Sequence, residues 1–94
     1  MRKLAWDASF RRAFRRRTRN SPAVQERIRR VLAQLVEDPF HPALSAHKLS
    51  GQLEGLWACW VEYDCRIVFA FEPDSGGGQD VIVLIDLGTH GDVY

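Results

Sequence analysis

The sequence lacks any apolar run close to the roughly 20 residues that a membrane-spanning helix needs. It opens with the basic stretch MRKLAWDASF, in which Asp7 interrupts the apolar residues before they reach the length of a secretion signal. We therefore expect a cytoplasmic protein that has no membrane partner. The length of 94 residues predicts one domain spanning residues 1–94.

Cysteine is also scarce, since Cys59 and Cys65 are the two that the sequence contains. A single Cys-x5-Cys pair is a weak indication of a zinc site or a disulfide, so we expect two buried free thiols. The histidines, arginines, lysines and tyrosines are accompanied by no cluster of carboxylates, which argues against a metal site. We therefore expect no metal and no small-molecule cofactor.

Acidic residues are nearly missing from the first third of the chain. Residues 1–30 hold eleven Lys or Arg and two acids, a balance of +9, whereas residues 31–94 hold two bases and ten acids, a balance of −8. This asymmetry predicts a polyanion or an acidic partner at one face of the protein. A basic helix that simply faces water is the alternative.

The N-terminal half predicts a strand followed by two helices. Residues 2–6 form a candidate strand, and Asp7 or Ser9 can cap a helix that ends near residues 19–20. Its face opposite the apolar residues carries the candidate RNA-binding side chains Arg11, Arg12, Arg15, Arg16 and Arg19.

Ser21 and Pro22 are typical of a second helix start, and Pro39 predicts the end of that helix. With so short a connection, the two helices should form an antiparallel hairpin.

The C-terminal half predicts three strands. We expect residues 39–56 to be an ordered connection with a short helical turn, followed by strands near 56–62, 66–72 and 80–87. Tyr63 and Asp64 would form the tight turn of the first hairpin, and residues 73–79 a flexible loop. The order of elements predicts an α+β fold, in which the helical hairpin packs on one face of a sheet containing a three-stranded antiparallel meander.

Two residues stand out as candidates for chemistry. His90 follows the apolar strand at 81–87 and lies between Gly88 and Gly91, whereas Arg66 opens the apolar run RIVFAF. Histidine titrates near neutral pH and arginine stabilises phosphate, and neither requires a metal. These residue types fit cleavage of RNA, whose own 2′-hydroxyl acts as the nucleophile, with Tyr94 available to stack on a base or position that hydroxyl.

Several stretches then resemble a known family. The segment AHKLSG followed by LW, the hairpin VEYDCRIVF and the ending DLGTHGDVY are similar to the RelE/YafQ branch of the RelE/ParE toxin superfamily. The resemblance implies the RelE-like fold and the toxin of a type II toxin–antitoxin system. It also implies cleavage of mRNA in the ribosomal A site and neutralisation by a cognate antitoxin, so the implied partners are the antitoxin, the ribosome and mRNA.

The resemblance also implies roles for individual residues. It makes His90 the acid–base group, Arg66 a phosphate-stabilising cation and Tyr94 a terminal aromatic of the cleft. It further implies that the remaining site residues are Asp64 of the hairpin turn and His47 and Lys48 of the connecting segment.

Three positions depart from the family pattern. Trp60 stands where a second active-site histidine or a lysine is usual, Cys65 replaces a common tryptophan, and Asp86 replaces an arginine. Losing a base and gaining an acid predicts weaker phosphate stabilisation, as in a slower, differently specific or decayed toxin.

Two further functions fit the same sequence. A ParE-like inhibitor of gyrase shares the fold, acts by protein contact and needs no catalytic histidine. A non-catalytic module would use its arginine-rich helices to hold RNA or an acidic antitoxin segment, with affinity that falls steeply with salt.

Overall fold

The computed structural model describes residues 2–89 and contains, within this range, two α-helices and one five-stranded sheet. The helices are α1 (Ala8–Thr18) and α2 (Pro22–Glu37). The strands are β1 (Leu4–Trp6), β2 (His47–Lys48), β3 (Trp57–Glu62), β4 (Cys65–Glu72) and β5 (Val81–Gly88). Two short 3-10 helices, Pro42–Leu44 and Gly51–Leu53, flank β2.

Asp7 fixes the start of α1. Its carboxylate accepts a hydrogen bond from the backbone N–H of Ser9 at 3.3 Å, which makes it the N-cap. Hydrogen bonds from the Ser9 hydroxyl and backbone lower the pKa of Asp7. The backbone N–H of Asp7 also donates to the carbonyl of Leu84 at 3.0 Å, so the first turn of α1 is attached to β5.

Ser21 fixes the start of α2, because its hydroxyl accepts from the backbone N–H of Val24 at 3.3 Å. Pro22 occupies the first helical position, where the N–H that it lacks would be unpaired in any case. The helix ends at Glu37, and its C-cap Asp38 has an extended backbone ahead of Pro39, as expected for a residue before proline. Both predicted helices are therefore confirmed, with boundaries close to those expected.

The strand order is β1-β5-β4-β3-β2. β1 pairs with β5 in parallel, and the other pairs are antiparallel, which confirms the predicted meander. The sequence did not predict β2, which is the edge strand beside β3. Its two residues pair with Trp57 and Ala58, and such short strands depend on their partner rather than on a pattern of their own.

The helices cover one face of the sheet and bury the main core against it. This core is formed chiefly by Phe10, Ile28, Leu32, Leu35, Cys59, Ile67, Phe69, Ile82 and Leu84. We call the opposite side of the sheet the far face. A smaller cluster of Leu49, Ala58 and Val68 lies there, with Leu53 and Leu56 of the preceding connection packed against it.

Each of two strands contains one extra residue. Val61 interrupts the pairing of β3 with β4, and Ile85 interrupts the pairing of β4 with β5. An extra residue changes which side chains after it face the helices.

The two cysteines are free and buried, as predicted. Burial raises the pKa of Cys59 to about 12 and also raises that of Cys65. In the part of the chain that the structure describes, no helix has the length and apolar character needed to cross a membrane.

Candidate active site and nucleic-acid interface

The pairing register places His47 and Asp86 in one row across the far face. His47 pairs with Ala58, Ala58 with Val68, and Val68 with Asp86. Paired residues point their side chains to the same side of a sheet. The row therefore carries a polar side chain at each end, His47 on β2 and Asp86 on β5, and two small apolar side chains between them.

A second row lies two residues further along the strands. Trp60 pairs with Arg66, and Arg66 pairs with Gly88. Gly88 stands two positions before His90 in the sequence. His90 and Tyr94, both predicted as catalytic, lie outside the described residues.

Arg66 is held over the turn that precedes it. Its Nη1 atom donates to the carbonyl of Glu62 at 2.7 Å and lies 3.2 Å from that of Tyr63 and 3.3 Å from that of Cys65. These contacts fix the guanidinium at the β3–β4 end of the far face. The sequence predicted that Arg66 points to a sheet face or groove, and its register position agrees with that.

His47 is exposed beside this surface. Its Nδ1 atom lies 3.1 Å from the carbonyl of Ser45, and a carbonyl can only accept, so this contact places a proton on Nδ1. In a neutral ring, Nε2 then carries the lone pair.

Lys48 does not share the face of His47. It pairs with Trp57, a residue of the helix side, and its Nζ atom lies 5.8 Å from the centre of the Trp57 ring. The structure thus brings His47 and Arg66 onto one face and places their predicted companion Lys48 on the other.

Asp64 forms an ion pair with α1. Its carboxylate lies 2.8 Å from Nη2 of Arg17, and the same nitrogen donates to the Asp64 carbonyl at 3.2 Å. Burial alone would lower the pKa of Arg17, but its hydrogen bond with Asp64, together with the charge of Asp64 and the interaction with Cys65, outweighs burial and leaves that pKa raised. Asp64, predicted as catalytic, therefore connects the β3–β4 turn to the helix.

Sequence reasoning missed the role of Arg17, although the pattern contained a signal for it. Phe10, Ala13, Phe14 and Arg17 occupy positions i, i+3, i+4 and i+7, so Arg17 continues the apolar stripe of α1. An arginine on a stripe that faces the core needs an acceptor there, and Asp64 supplies it.

The other arginines of α1 form a basic surface. All five predicted RNA-binding residues of this helix are exposed: Arg11, Arg12, Arg15, Arg16 and Arg19. Arg16 also lines a pocket of about 230 Å³ between α1 and the end of β5, together with Ala13, Arg17, Leu87 and Gly88. The basic surface therefore reaches the strand end from which the chain continues to His90.

Potential metal ligands are dispersed: among residues 2–89, no three His, Cys, Asp or Glu side chains are grouped so that they could hold an ion.

Comparison with known proteins identifies the family and the fold. A family model described as "Bacterial toxin of type II toxin-antitoxin system, YafQ" matches residues 2–94. No curated protein matches the sequence.

Solved structures share the fold at low sequence identity. A YoeB/ParE toxin from Agrobacterium tumefaciens is 20% identical with a TM-score of 0.78, covering 94% of this chain and 98% of its own. YafQ from E. coli strain BL21(DE3) is 12% identical with a TM-score of 0.78, covering 100% and 99%. The E. coli DinJ–YafQ complex contains a chain that is 12% identical with a TM-score of 0.76, over the same shares. At these identities the structural likeness establishes the fold, and the family match carries the assignment: the chain belongs to the YafQ family of bacterial toxins of type II toxin–antitoxin systems.

Proposed function

We propose that this toxin is a metal-free endoribonuclease that cleaves mRNA in the ribosomal A site. The observation that carries the proposal is the position of Gly88. Arg66 is its register partner in the sheet, and Arg16 and Arg17 line the pocket against it. Arg66 on the far face and Arg16 on the helix side therefore place positive charge beside the strand end that leads to His90, and positive charge is what a phosphodiester needs in this reaction.

The reaction is an attack of the RNA on its own backbone. A base removes the proton of a 2′-hydroxyl, whose oxygen then forms a bond to the adjacent phosphorus. The bond from phosphorus to the 5′-oxygen breaks, and that oxygen takes a proton from an acid. The products are a 2′,3′-cyclic phosphate and a new 5′-hydroxyl end.

The protein contributes proton transfer and positive charge to this reaction. His90 is the proposed acid–base group, and His47, which shares a face of the sheet with Arg66, is a second imidazole. Arg66 stabilises the crowded phosphate, since its guanidinium is already oriented by the turn carbonyls. Tyr94 packs on the RNA, and Asp64 acts by positioning the turn through Arg17.

The basic surface of α1 positions the toxin on RNA. Its five exposed arginines lie on one helix and contact phosphates without reading sequence, which suits docking to ribosomal RNA. Lys48 adds a cation at the sheet edge. The site of action is the cytoplasm, where ribosomes and mRNA are found.

A cognate antitoxin restrains the toxin. The E. coli relative with this fold has been solved as a complex, DinJ–YafQ. The balance of +9 in residues 1–30 favours an antitoxin with an acidic segment that folds on binding.

Mapping of new 5′-hydroxyl ends after induction of the toxin in a bacterium tests this function. We expect cuts at fixed codon positions with the wild type and none with His90→Ala. The matched control is His41→Asn, which changes an exposed histidine while keeping an acceptor for the backbone N–H of Ala43. It should cut like the wild type.

Other outcomes would point to other functions. Growth arrest with DNA damage and no new RNA ends would support a gyrase inhibitor. The absence of both arrest and cuts would support a non-catalytic binding module.

A further inference from the structure

We propose that the indole of Trp60 is a stacking platform for a base of the RNA substrate and that it sets the base preference at the cut. This inference rests on the proposed ribonuclease function and assigns a substrate contact to a residue at which the chain departs from its family. It follows from the exposure of Trp60, its register partner and the neighbouring charge.

Trp60 is exposed where its neighbours are buried. The residues on either side, Cys59 and Val61, are 0% and 1% exposed, whereas Trp60 is 39% exposed. Burial of apolar surface stabilises the folded state. The part of the Trp60 indole that stays exposed in the middle of the strand makes no such contribution. Its exposed ring is available for a ligand.

The cross-strand partner of Trp60 is Arg66. Directly opposite residues have Cβ atoms about 4.5–5.5 Å apart and share one face of the sheet. The Arg66 guanidinium is fixed by its contacts with three backbone carbonyls. A flat aromatic surface and an oriented cation therefore lie side by side on the far face.

A nucleotide matches this pair of groups. It carries a negative phosphate and a flat base on the same sugar, so the phosphate can contact Arg66 while the base stacks on Trp60. RNA-binding proteins commonly combine cations and aromatic rings in this way. The row formed by Trp60, Arg66 and Gly88 ends at the strand terminus that precedes His90, which places the stacked base beside the proposed reacting phosphate.

A protein partner is the competing occupant of this position. Trp60 lies beyond the two β3 residues that pair with β2, so it stands at the open edge of the sheet and also lines a groove of about 450 Å³ against α2, together with Leu44 and Arg30. An antitoxin side chain in that groove would contact the same residue. RNA is favoured for two reasons. The strand partner of Trp60 is Arg66, whose guanidinium is oriented by backbone carbonyls and can contact a phosphate. In the groove, by contrast, Arg30 is already paired with Glu26 at 3.2 Å.

Stacking predicts a particular kind of specificity. Every base has a flat face, so discrimination arises from stacking strength, and purines stack more strongly than pyrimidines. Loss of one stacked base typically weakens binding by about 5- to 150-fold. We therefore expect Trp60 to favour a purine at one position of the cut site.

The test compares Trp60→Leu with Trp60→Phe by mapping 5′-hydroxyl ends in cells. Leucine keeps an apolar side chain but has no flat face, whereas phenylalanine keeps the ring. We expect Trp60→Leu to reduce cutting by about 10-fold and to erase the purine preference, and Trp60→Phe to retain most of both.

Phe40→Leu is the matched control for loss of an exposed ring. Phe40 is 55% exposed and contacts Trp57 and Phe71, and Phe71 lies near the end of β4 opposite to Arg66. This variant should cut at wild-type positions and rates. Thermal unfolding of each purified variant shows whether lost cutting reflects lost folding, and Trp60→Met, which also lacks a flat face, decides the case if Trp60→Leu does not fold.

Three results would overturn the inference. Wild-type cutting and preference in Trp60→Leu would show that the ring is not needed. Unchanged cutting together with escape from the antitoxin would assign Trp60 to the protein partner. If the wild type itself makes no cuts, the ribonuclease proposal fails and this inference fails with it, whereas the first two results leave the ribonuclease proposal intact.

Discussion

The guanidinium of Arg17 lies 2.8 Å from the carboxylate of Asp64, which joins the last turns of α1 to the β3–β4 turn. The same turn supplies the carbonyls of Glu62 and Tyr63 that hold Arg66. Direct contacts therefore link α1 to the β3–β4 turn, and that turn to Arg66, the proposed phosphate-binding residue. Asp64 can affect catalysis through this connection without touching the substrate.

A double-mutant cycle separates the two possible roles of Asp64. The side chains of Arg17 and Asp64 are 28% and 56% exposed, so we expect Asp64→Asn to cost less than about 1 kcal/mol of unfolding free energy. If Asp64 acts through Arg17, the double variant Arg17→Gln/Asp64→Asn should cleave RNA no more slowly than the slower single variant. Urea unfolding and cleavage rates provide the two measurements. A further loss of rate in the double variant would place Asp64 in the reaction itself.

Neutralisation of Asp86 should accelerate cleavage. Asp86 and Arg66 are diagonal neighbours on the far face, a separation of about 7–8 Å, so the carboxylate repels a phosphate bound at Arg66. Asp86→Asn removes this charge but can still accept the hydrogen bond that the backbone N–H of Leu87 donates at 2.8 Å.

We expect the cleavage rate of Asp86→Asn to rise about three- to tenfold at low salt and less at high salt. Glu72→Gln is the control, because it removes the same charge at the other end of β4. A rate that stays unchanged or falls in Asp86→Asn would instead indicate that the carboxylate assists catalysis.

The buried thiol of Cys59 should make the fold sensitive to alkaline pH. Its pKa is raised from 9.0 to about 12, so above pH 9 the unfolded chain loses a proton that the folded chain retains. This contribution to stability is fully present below pH 9 and is lost as the pH rises toward 12, by about 1.4 kcal/mol per pH unit.

Urea unfolding of the wild type and of Cys59→Ala between pH 7 and 11 measures the effect. Because both proteins share the other titrating groups, the difference between their unfolding free energies should shrink above pH 9. A constant difference would show that the thiol ionises normally in the folded state. In the native wild type at neutral pH, we expect neither thiol to react with iodoacetamide.

The basic surface predicts a defined dependence on salt. Each phosphate contact contributes about 0.7–0.9 to the slope of log affinity against log salt concentration. Arg12→Gln and Arg16→Gln should each lower the slope of ribosome binding by about that amount. Lys3→Gln is the control, since Lys3 already pairs with Asp74 at 3.2 Å. Slopes that do not change in the arginine variants would mean that this surface faces water rather than RNA.

The helices could be predicted from the sequence because the residues that start and end them act locally. The cap at Ser21, the proline after it and the proline at residue 39 set boundaries with chemistry that acts within a few residues. The meander was readable for a similar reason, since its hairpin turn and apolar runs are contiguous.

The site was harder to predict because its geometry depends on contacts and strand pairing between residues far apart in the sequence. The neighbour of Asp64 is Arg17, 47 positions away. The side to which Lys48 points depends on the register of a two-residue strand that no pattern identifies. Family resemblance named His47 and Arg66, but their common face follows only from the pairing of three strands, β2, β3 and β4.

The extra residue Ile85 determines which side chains of the second half of β5 face the helices. Leu84 and Leu87 both face the helices although they are three positions apart, an odd spacing that an uninterrupted strand does not allow. If Ile85 were paired regularly, the rest of the strand would turn over, so that Asp86 would point into the core and Leu87 into water. The faces on which Asp86 and Leu87 lie are thus set by one unpaired residue, and a change that draws Ile85 into regular pairing would carry the charge of Asp86 away from Arg66.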